Sequence, residues 1–409
     1  MLTLITVPEA LQELNSRWRP QEKTVTLELG AALGMALAEP VRSPRHIPPF
    51  ARATMDGYAV QAADTYGASE TASQMITLCG QIAMGEAPQH ILQPGETMQI
   101  ATGGMLPTGA DAVVMLEYTE LLGDQLLIQR PVAPGENTTQ PGEDLRQDQE
   151  VLTVGHILTA ADIGLCASLG YCQLDCFTRP RVAIFSTGDE LLSPGEEYQP
   201  GMIYDSNGSM LHALCQSIGV TADFLACLPD ELHELQAALA ASLQIYDLVI
   251  FSGGTSVGGK DFTKVAIDAC GSPGVLVHGL NIKPGKPTLL GLVAQIPVFG
   301  LSGNPVTAAL TFQLLVEPTL GRWQSVSTPT RSRLKARLTR NLPSPGGMIS
   351  YIRCRISQAE NIPGLWLAHP LLGGSGLLST LAQADALLTI PANAEGLREN
   401  SEVEVELLR

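Results

Sequence analysis

Basic residues are scarce in this chain. Its 409 residues carry 24 Lys and Arg against 41 Asp and Glu, a formal net charge of −17 at pH 7. That balance excludes sequence-independent binding to nucleic acid, which draws its affinity from cations set against phosphates. Long apolar runs are missing as well: none approaches the ~18 residues a membrane helix needs. The N-terminus, Met1-Leu-Thr-Leu-Ile-Thr-Val-Pro8, lacks the basic region and cleavage site of a secretory signal. The eight cysteines show no metal-binding spacing. Cys166, Cys172 and Cys176 cluster without a C-x-x-C pair or a nearby His, and the seven His are scattered. The expectation is small buried thiols in a reducing cytosol. No internal repeat or low-complexity tract is present.

What is there suffices for real cores. Hydrophobic residues make up 45% of the chain, and at roughly 150 residues per domain the length suits about three domains. From Arg181 to Trp323 strand and helix patterns alternate. Arg181-Val-Ala-Ile-Phe185, Ala222 to Leu228, Leu248 to Phe251 and Ile296 to Leu301 read as strands. Met210, Leu211, Leu214, Cys215 and Ile218 lie on one helical face with Gly219 as its stop. Leu232, Leu235, Leu239 and Leu243 form another, and residues 262–270 a third. Such alternation implies a largely parallel sheet covered on both faces, with ligands at the carboxyl ends of its strands. Beyond residue 327 the period becomes two, as in Ile349-Ser-Tyr-Ile-Arg-Cys-Arg-Ile356, and a small β-barrel or sandwich is expected. Towards the N-terminus, helices are expected over 7–18, entered through a capping box of Thr6 and Glu9, over 27–38, and over Ala160–Leu169. β-like segments fill 45–150, with a hairpin at Gly123-Asp124.

The densest signal is Ser252-Gly-Gly-Thr-Ser-Val-Gly-Gly-Lys-Asp261, directly after a buried strand. Glycines at 253, 254, 258 and 259 let backbone N–H groups turn inward as an anion nest, and the following helix adds its positive end. The residues fit most of a Walker A pattern, but Asp261 stands where Ser or Thr is needed. A carboxylate there suits a hard cation. Ser186-Thr187-Gly188-Asp189-Glu190 follows another strand. Its hydroxyls suit a phosphate and its acids suit Mg²⁺ or an attacking water, while a solvated turn explains the same residues. Asp230 reads as the N-cap of the next helix and gains a ligand role only beside Asp261. Lys283 and Lys286 stand on a stiff Pro/Gly loop and suit an oxyanion. Asn304 and Pro305 open the last helix as N-cap and first residue. The loops at 186–190, 252–261 and 302–304 are expected to converge on one cleft. Thr54-Met-Asp56-Gly-Tyr58, Ala101-Thr102-Gly-Gly104 and Gly142-Glu-Asp144 read, one by one, as turns.

Taken together these segments resemble the molybdopterin molybdenumtransferase family, MoeA and the gephyrin E-domain. The matching pieces run in family order along nearly the whole chain: Met55-Asp-Gly-Tyr-Ala-Val60, Thr102-Gly103, Ala112-Val-Val114, Pro141-Gly-Glu-Asp144, Phe185-Ser-Thr-Gly-Asp-Glu-Leu191, Ile203-Tyr-Asp-Ser-Asn207, Ser252-Gly-Gly-Thr-Ser-Val-Gly258, Asp261-Phe-Thr-Lys264, Ile282-Lys-Pro-Gly-Lys-Pro287 and Gly303-Asn-Pro-Val306. The resemblance implies an elongated multi-domain chain: an α/β core with a three-layer, mostly parallel sheet, plus mixed α+β and all-β domains. The implied boundaries are 1–44 with 147–178, 45–146, 179–326 and 327–409. It further implies a cytoplasmic homodimer that inserts molybdenum from molybdate into adenylylated molybdopterin and releases AMP with Mg²⁺. Implied partners are a molybdopterin adenylyltransferase and molybdoenzymes that accept the cofactor.

Carried over position by position, the implied catalytic residues are Asp56, Asp144, Glu190, Asp230 and Asp261, and the metal ligands Asp189, Glu190, Asp230 and Asp261. Substrate contacts fall to Thr102, Ser186, Thr187, Gly188, Ser252, Gly253, Gly254, Ser256, Gly258, Lys283, Lys286, Asn304 and Ser375. The chain departs from the family in three places. Thr138-Thr-Gln-Pro141 replaces an Arg-rich run, Ala51-Arg-Ala-Thr54 replaces Asp-Asn-Ser, and Ser302 replaces Pro. The first removes cations and keeps a second reading open, a catalytically altered paralogue that binds pterin or acts as a scaffold. A nucleotide-pyrophosphate hydrolase or adenylyltransferase sharing the α/β domain is a third reading, which the additional N- and C-terminal domains disfavour.

Overall fold

Short apolar runs become buried strands. In the computed structural model, which describes residues 4–254, 262–325, 331–360 and 362–408, Arg181–Thr187 (β1), Thr221–Leu228 (β2), Leu248–Ser252 (β3), Pro273–His278 (β4), Leu289–Val293 (β5) and Ile296–Leu301 (β6) form one sheet in the order β2-β1-β3-β6-β5-β4. β1 pairs in parallel with β2 and β3, and β3 with β6, while β5 runs antiparallel to both β6 and β4. β4 and β5 are not among the strands expected from sequence; β5 is the one reversed strand of an otherwise parallel sheet.

Alternate residues of each central strand face opposite layers, as the twofold pleat requires. Val182, Ile184, Leu248, Ile250 and Phe299 pack with Leu211 and Cys215 on one side. Ala183, Phe185, Val249, Phe251 and Val298 pack with Leu235, Leu239, Ala266 and Ile267 on the other. Helix Asn207–Ser217 (α1) thus covers the first face, and Leu232–Ser242 (α2) and Phe262–Cys270 (α3) the second. The helix Pro305–Thr311 (α4) returns to the first face through Ala308, joined there by Val7, Ala10 and Leu14 of the N-terminal helix Val7–Arg17. That helix begins with the expected capping box: Thr6 Oγ1 accepts from Glu9 N, and Glu9 Oε2 accepts from Thr6 N at 2.7 Å. Three layers, as expected, result.

The C-terminal strands close into a barrel. Ile349–Gln358 pairs with Trp366–Pro370 and with Ala386–Ile390, and Glu402–Leu407 joins Ala386–Ile390 to Arg333–Leu338. A short parallel pairing of Arg333–Leu338 with Trp366–Pro370 completes the ring. Glu402 and Glu404 face solvent while Val403 and Val405 fill the interior with Ala336, Leu338 and Leu388.

The chain divides into two compact units. The elements above belong to the unit made of Met1–Ala38, Val154–Ala160 and Gln173–Arg409; the other comprises Glu39–Thr153 and Ala161–Cys172. In the second unit a mixed sheet has the order Ala112–Met115, Gly57–Val60, Glu96–Ile100, Gln74–Gln81, Gln125–Ile128, Thr119–Leu122. The last two strands are the expected hairpin, turning at Gly123 with φ +68°. The helix Ala160–Leu169 also forms as expected.

The helix expected over 27–38 does not form. Thr24–Glu28 is a strand paired antiparallel with Gln173–Phe177, a single 3₁₀ turn spans Leu29–Ala31, and Gly34 has φ +72°. A partner far along the chain outcompetes the local helical pattern. All eight cysteines are free, but Cys79 and Cys172 are exposed rather than buried. Among the described residues no helix is long and apolar enough to cross a membrane.

Candidate functional site

Because β1, β3 and β6 run in parallel, their carboxyl ends emerge at one edge of the sheet. The loops that follow are tied together there. The Asn207 side chain, at the start of α1, donates to Ser252 Oγ and to Gly303 O, both at 2.8 Å. Asp205 accepts from Ser186 Oγ at 2.9 Å and from the backbone N–H groups of Asn207 and Gly208 at 3.0 and 3.2 Å. Ser252 Oγ reaches Ser302 O, Gly253 N donates to Leu301 O, and Ser302 Oγ accepts from Asn304 N. Among the described residues, the expected convergence of 186–190, 252–254 and 302–304 is therefore present. Asp205 and Asn207, 4% and 6% exposed, are its hub. Sequence reading quotes them only as part of a motif. The available signal was an Asp and an Asn directly before an apolar helix, where side chains bond backbone N–H groups. Ser186 and Ser252 commit their hydroxyls to this hub rather than presenting them to a ligand. Ser302, one of the departures, accepts from Asn304 N through a side-chain hydroxyl that a proline lacks.

Close backbone approach explains the glycines of the cradle. A Cβ on Gly253 would lie 2.3 Å from Thr187 O, and φ there is +106°. A Cβ on Gly254 would lie 2.7 Å from Thr263 Oγ1 and 3.0 Å from Thr187 Oγ1. Both threonine hydroxyls are buried without a hydrogen-bond partner among the described residues. Thr255 to Asp261, including Ser256, Gly258 and Asp261, lie outside the described residues.

The acids expected as metal ligands sit on two loops that are tied together, but among the described residues Asp189, Glu190 and Asp230 do not bring one oxygen each within reach of a common ion. Gly188 N donates to Leu228 O at 3.1 Å, and Asp230 N donates to Asp189 Oδ1 at 3.1 Å, which locks the loop after β1 to the loop after β2. The Glu190 carboxylate folds back over Gly188, whose Cβ would meet Glu190 Oε2 at 2.7 Å. Asp230 is not the N-cap of α2. Glu231 takes that place, without a side-chain capping bond, because Asp230 is drawn to Asp189 instead. Asn304 is the N-cap residue of α4, but its side chain makes no capping bond; backbone geometry and Pro305 start that helix.

Cations collect where the α/β sheet meets the barrel. Ile282–Lys283 pairs in parallel with Ile349–Ser350, and Ser375 O accepts from Val306 N of α4 at 3.1 Å. A groove of about 390 Å³ runs between Lys283, Lys286, Ser302, Asn304 and Ser375. A cavity of about 250 Å³ shares Lys283 and Ser375 with it and adds Ser350, Tyr351 and Arg353. Arg353 is 7% exposed and its Nε is buried without a hydrogen-bond partner among the described residues. Burial pulls its guanidinium below the usual arginine range. Sequence reading missed this residue. The only signal was an arginine inside an otherwise strand-like run.

In the second unit, Asp56 Oδ1 accepts from Thr102 N at 2.7 Å and from Thr102 Oγ1 at 2.8 Å. These bonds, the backbone one first, hold the Asp56 carboxyl below its ordinary range. Asp144 sits in a turn whose N–H groups at Gly142 and Asp144 bond to Pro48 O and Ile47 O. Two of the departures from the family pattern face each other here: Arg52 pairs with Thr139 and Ala53 with Thr138. A cation missing from one strand is present on its neighbour.

Residues 5–170 match the family description "MoeA N-terminal region (domain I and II)", residues 183–322 "Probable molybdopterin binding domain", and residues 335–408 "MoeA C-terminal region (domain IV)". The molybdopterin molybdenumtransferase of Bacillus subtilis (strain 168) is 32% identical over 412 residues, covering 100% of this chain and 95% of that protein. A putative molybdopterin biosynthesis protein of Methanocaldococcus jannaschii is 33% identical, covering 97% of this chain and 96% of its own. A crystal structure of the molybdopterin biosynthesis MoeA protein of Pyrococcus horikoshii superposes with a TM-score of 0.86 at 34% identity, over 100% of both chains.

Proposed function

Since this chain belongs to the MoeA family, we propose that it works in molybdenum cofactor biosynthesis, inserting molybdenum from molybdate into adenylylated molybdopterin with release of AMP. The observation that carries the reading is Arg353. A guanidinium buried on a cavity wall, with Nε unpartnered, calls for an anion, because an uncompensated buried charge is costly. Lys283 and Ser375 line the same cavity, and a tetrahedral oxyanion satisfies all three. A groove sharing Lys283 and Ser375 leads from there to Ser302 and Asn304, at the loop beside the glycine cradle.

The cradle's close backbone approach at Gly253 and Gly254 suits a pyrophosphate, which needs N–H groups free of side-chain crowding. Asp189, Glu190 and Asp230 offer the oxygen donors that a hard divalent ion such as Mg²⁺ takes, and would have to turn their carboxylates towards one another to hold it. When bound, that ion offsets phosphate charge and polarises the phosphorus. Glu190 and Asp230 orient the water that cleaves the pyrophosphate, and Lys283 and Lys286 balance the anions brought into the groove. The dithiolene sulfurs that receive molybdenum belong to the substrate. Consistently, burial pushes the thiols of Cys215 and Cys354 up to about 12 and that of Cys227 to about 11, far from a reactive thiolate. Asp56, Thr102 and Asp144 keep the roles the resemblance implies. Arg52, opposite Thr139, supplies the cation that the 138–140 segment lacks. A cytoplasmic homodimer, the four domain boundaries, an adenylyltransferase as supplier and molybdoenzymes as acceptors belong to the same proposal.

The test incubates the purified protein with adenylylated molybdopterin, Mg²⁺ and molybdate and follows AMP. Molybdate-dependent AMP release is expected. Binding of the pterin with no AMP at any molybdate concentration would favour the altered-paralogue reading, and absence of both binding and release would end the proposal.

A further inference from the structure

We propose that Cys79, His90 and Glu96 form a binding site for a zinc-class divalent cation on the second unit. One donor atom of each lies within 4.8 Å of the others. Sulfur, imidazole nitrogen and carboxylate oxygen are the three donor types zinc takes, at about 2.0–2.3 Å each, and three protein ligands leave a fourth position for water. A set with one thiolate and one imidazole disfavours Mg²⁺, which prefers oxygen throughout.

The three residues are held in place by structure outside the trio. Cys79 lies at a β-bulge, where the pairing of Gln74–Gln81 with Glu96–Ile100 slips between Leu78 and Gly80. Bulges re-aim a side chain out of the regular ladder. Glu96 opens the neighbouring strand, and its Oε2 accepts from Gln93 N at 3.0 Å and lies 2.8 Å from His90 Nε2. The connecting loop is anchored at Leu92, which is buried, donates its N–H to Thr108 O and accepts from the Gln61 side chain at 3.2 Å. Gly95 N donates to Asp64 Oδ2 at 2.8 Å. His90 and Glu96 therefore meet without needing an ion to fold the loop, which lowers the ordering cost of binding one.

Charge fits as well. The Gln93 N–H and then His90 hold the Glu96 carboxyl below its usual range, so it is ionised at neutral pH. Burial and then the Glu96 charge push the Cys79 thiol up, so it keeps its proton until a cation arrives. Binding forms bonds from the ion to Cys79 Sγ, His90 Nε2 and Glu96 Oε2; the thiol proton leaves to solvent, and the Nε2 hydrogen that His90 donates to Glu96 is given up to solvent as Nδ1 takes a proton, so the ion replaces that hydrogen bond. Thiolate and carboxylate together neutralise the 2+ charge. The spacing escaped sequence reading because ten residues separate Cys79 from His90 and five separate His90 from Glu96, unlike the short C-x-x-C signature.

Co²⁺ is the probe, added to the full chain after chelator treatment and monitored by near-ultraviolet absorption, where a sulfur-to-cobalt charge-transfer band reports a thiolate ligand. The wild type is expected to show the band, and excess Mg²⁺ to leave it. Cys79→Ser should abolish it. His90→Gln and Glu96→Gln should each weaken Co²⁺ binding roughly tenfold or more. Cys172→Ser, which removes the other exposed thiol, should change nothing. Circular dichroism checks that each variant folds. The proposal is overturned if the wild type shows no band, or if the band survives Cys79→Ser or vanishes in Cys172→Ser. None of these readouts uses molybdenum chemistry, so either proposal can fail alone.

Discussion

Arg353 is the residue whose environment asks most clearly for a ligand. Its neighbours on the cavity wall include Lys283, a second cation, rather than an acid. Removing a buried charge of this kind relieves desolvation, whereas removing it from a bound oxyanion forfeits a charge-assisted hydrogen bond of about 1.5–3 kcal/mol. Arg353→Met is therefore expected to keep or raise Tm while weakening molybdate binding by about ten- to a hundredfold, read by calorimetric titration and thermal melts. A fall in Tm with unchanged molybdate affinity would make Arg353 a structural cation. Asp56 gives a pH prediction. Thr102 lowers its folded-state pKa through a backbone and a side-chain donor. A depressed carboxylate contributes stability above its unfolded pKa and loses it as pH falls through the folded value. Thr102→Val removes the hydroxyl donor and keeps the N–H. The Asp56 pKa should rise part of the way to the usual aspartate range, in a carboxyl NMR titration. The stability gap from wild type should be present at neutral pH and fade in acid.

At the scale of elements, the site is a matter of strand ends held in register by two side chains. Asn207 bridges the end of β3 to the loop after β6, and Asp205 pins the end of β1 to the start of α1. Asn207→Ala leaves Ser252 Oγ and Gly303 O short of a buried donor, an expected loss of about 1–3 kcal/mol measured by denaturant unfolding. Because both loops border the cradle, pterin binding should weaken as well; unchanged binding would mean the loops hold themselves. The parallel strands, the three layers and the convergence of the loops were legible, because uninterrupted apolar runs such as Leu248–Ser252 have few alternatives to a doubly covered sheet. The helix over 27–38 was misread because the pairing of Thr24–Glu28 with Gln173–Phe177 cannot be seen from either segment alone. Asp230 was misassigned as a cap because its bond to Asp189 comes from a different loop. Arg353 and the Asp205–Asn207 hub escaped for the same reason. Their importance lies in burial and partners, which emerge only when separate strands meet.

Over the whole molecule, each of the two compact units holds hydrophobic cores of its own. Val182, Ile250, Phe299 and Val405 belong to cores built within the first unit, and Tyr58, Val114 and Leu126 to one built within the second. A unit with its own core can unfold as its own cooperative step, so a single two-state transition is not the expectation for this chain. The two proposed ligands then act on different steps. Lys283, Arg353 and Ser375 all lie in the first unit, and Cys79, His90 and Glu96 in the second. A ligand that binds only the folded state stabilises what it binds by about 2.7 kcal/mol at a hundredfold excess over its Kd, worth several degrees in Tm. Differential scanning calorimetry is thus expected to resolve more than one transition. Molybdate should raise one and leave the other in place, and Zn²⁺ should do the reverse. Arg353→Met should erase the molybdate shift alone, and Cys79→Ser the Zn²⁺ shift alone. If both ligands moved a single merged transition by the same amount, the two units would be energetically one.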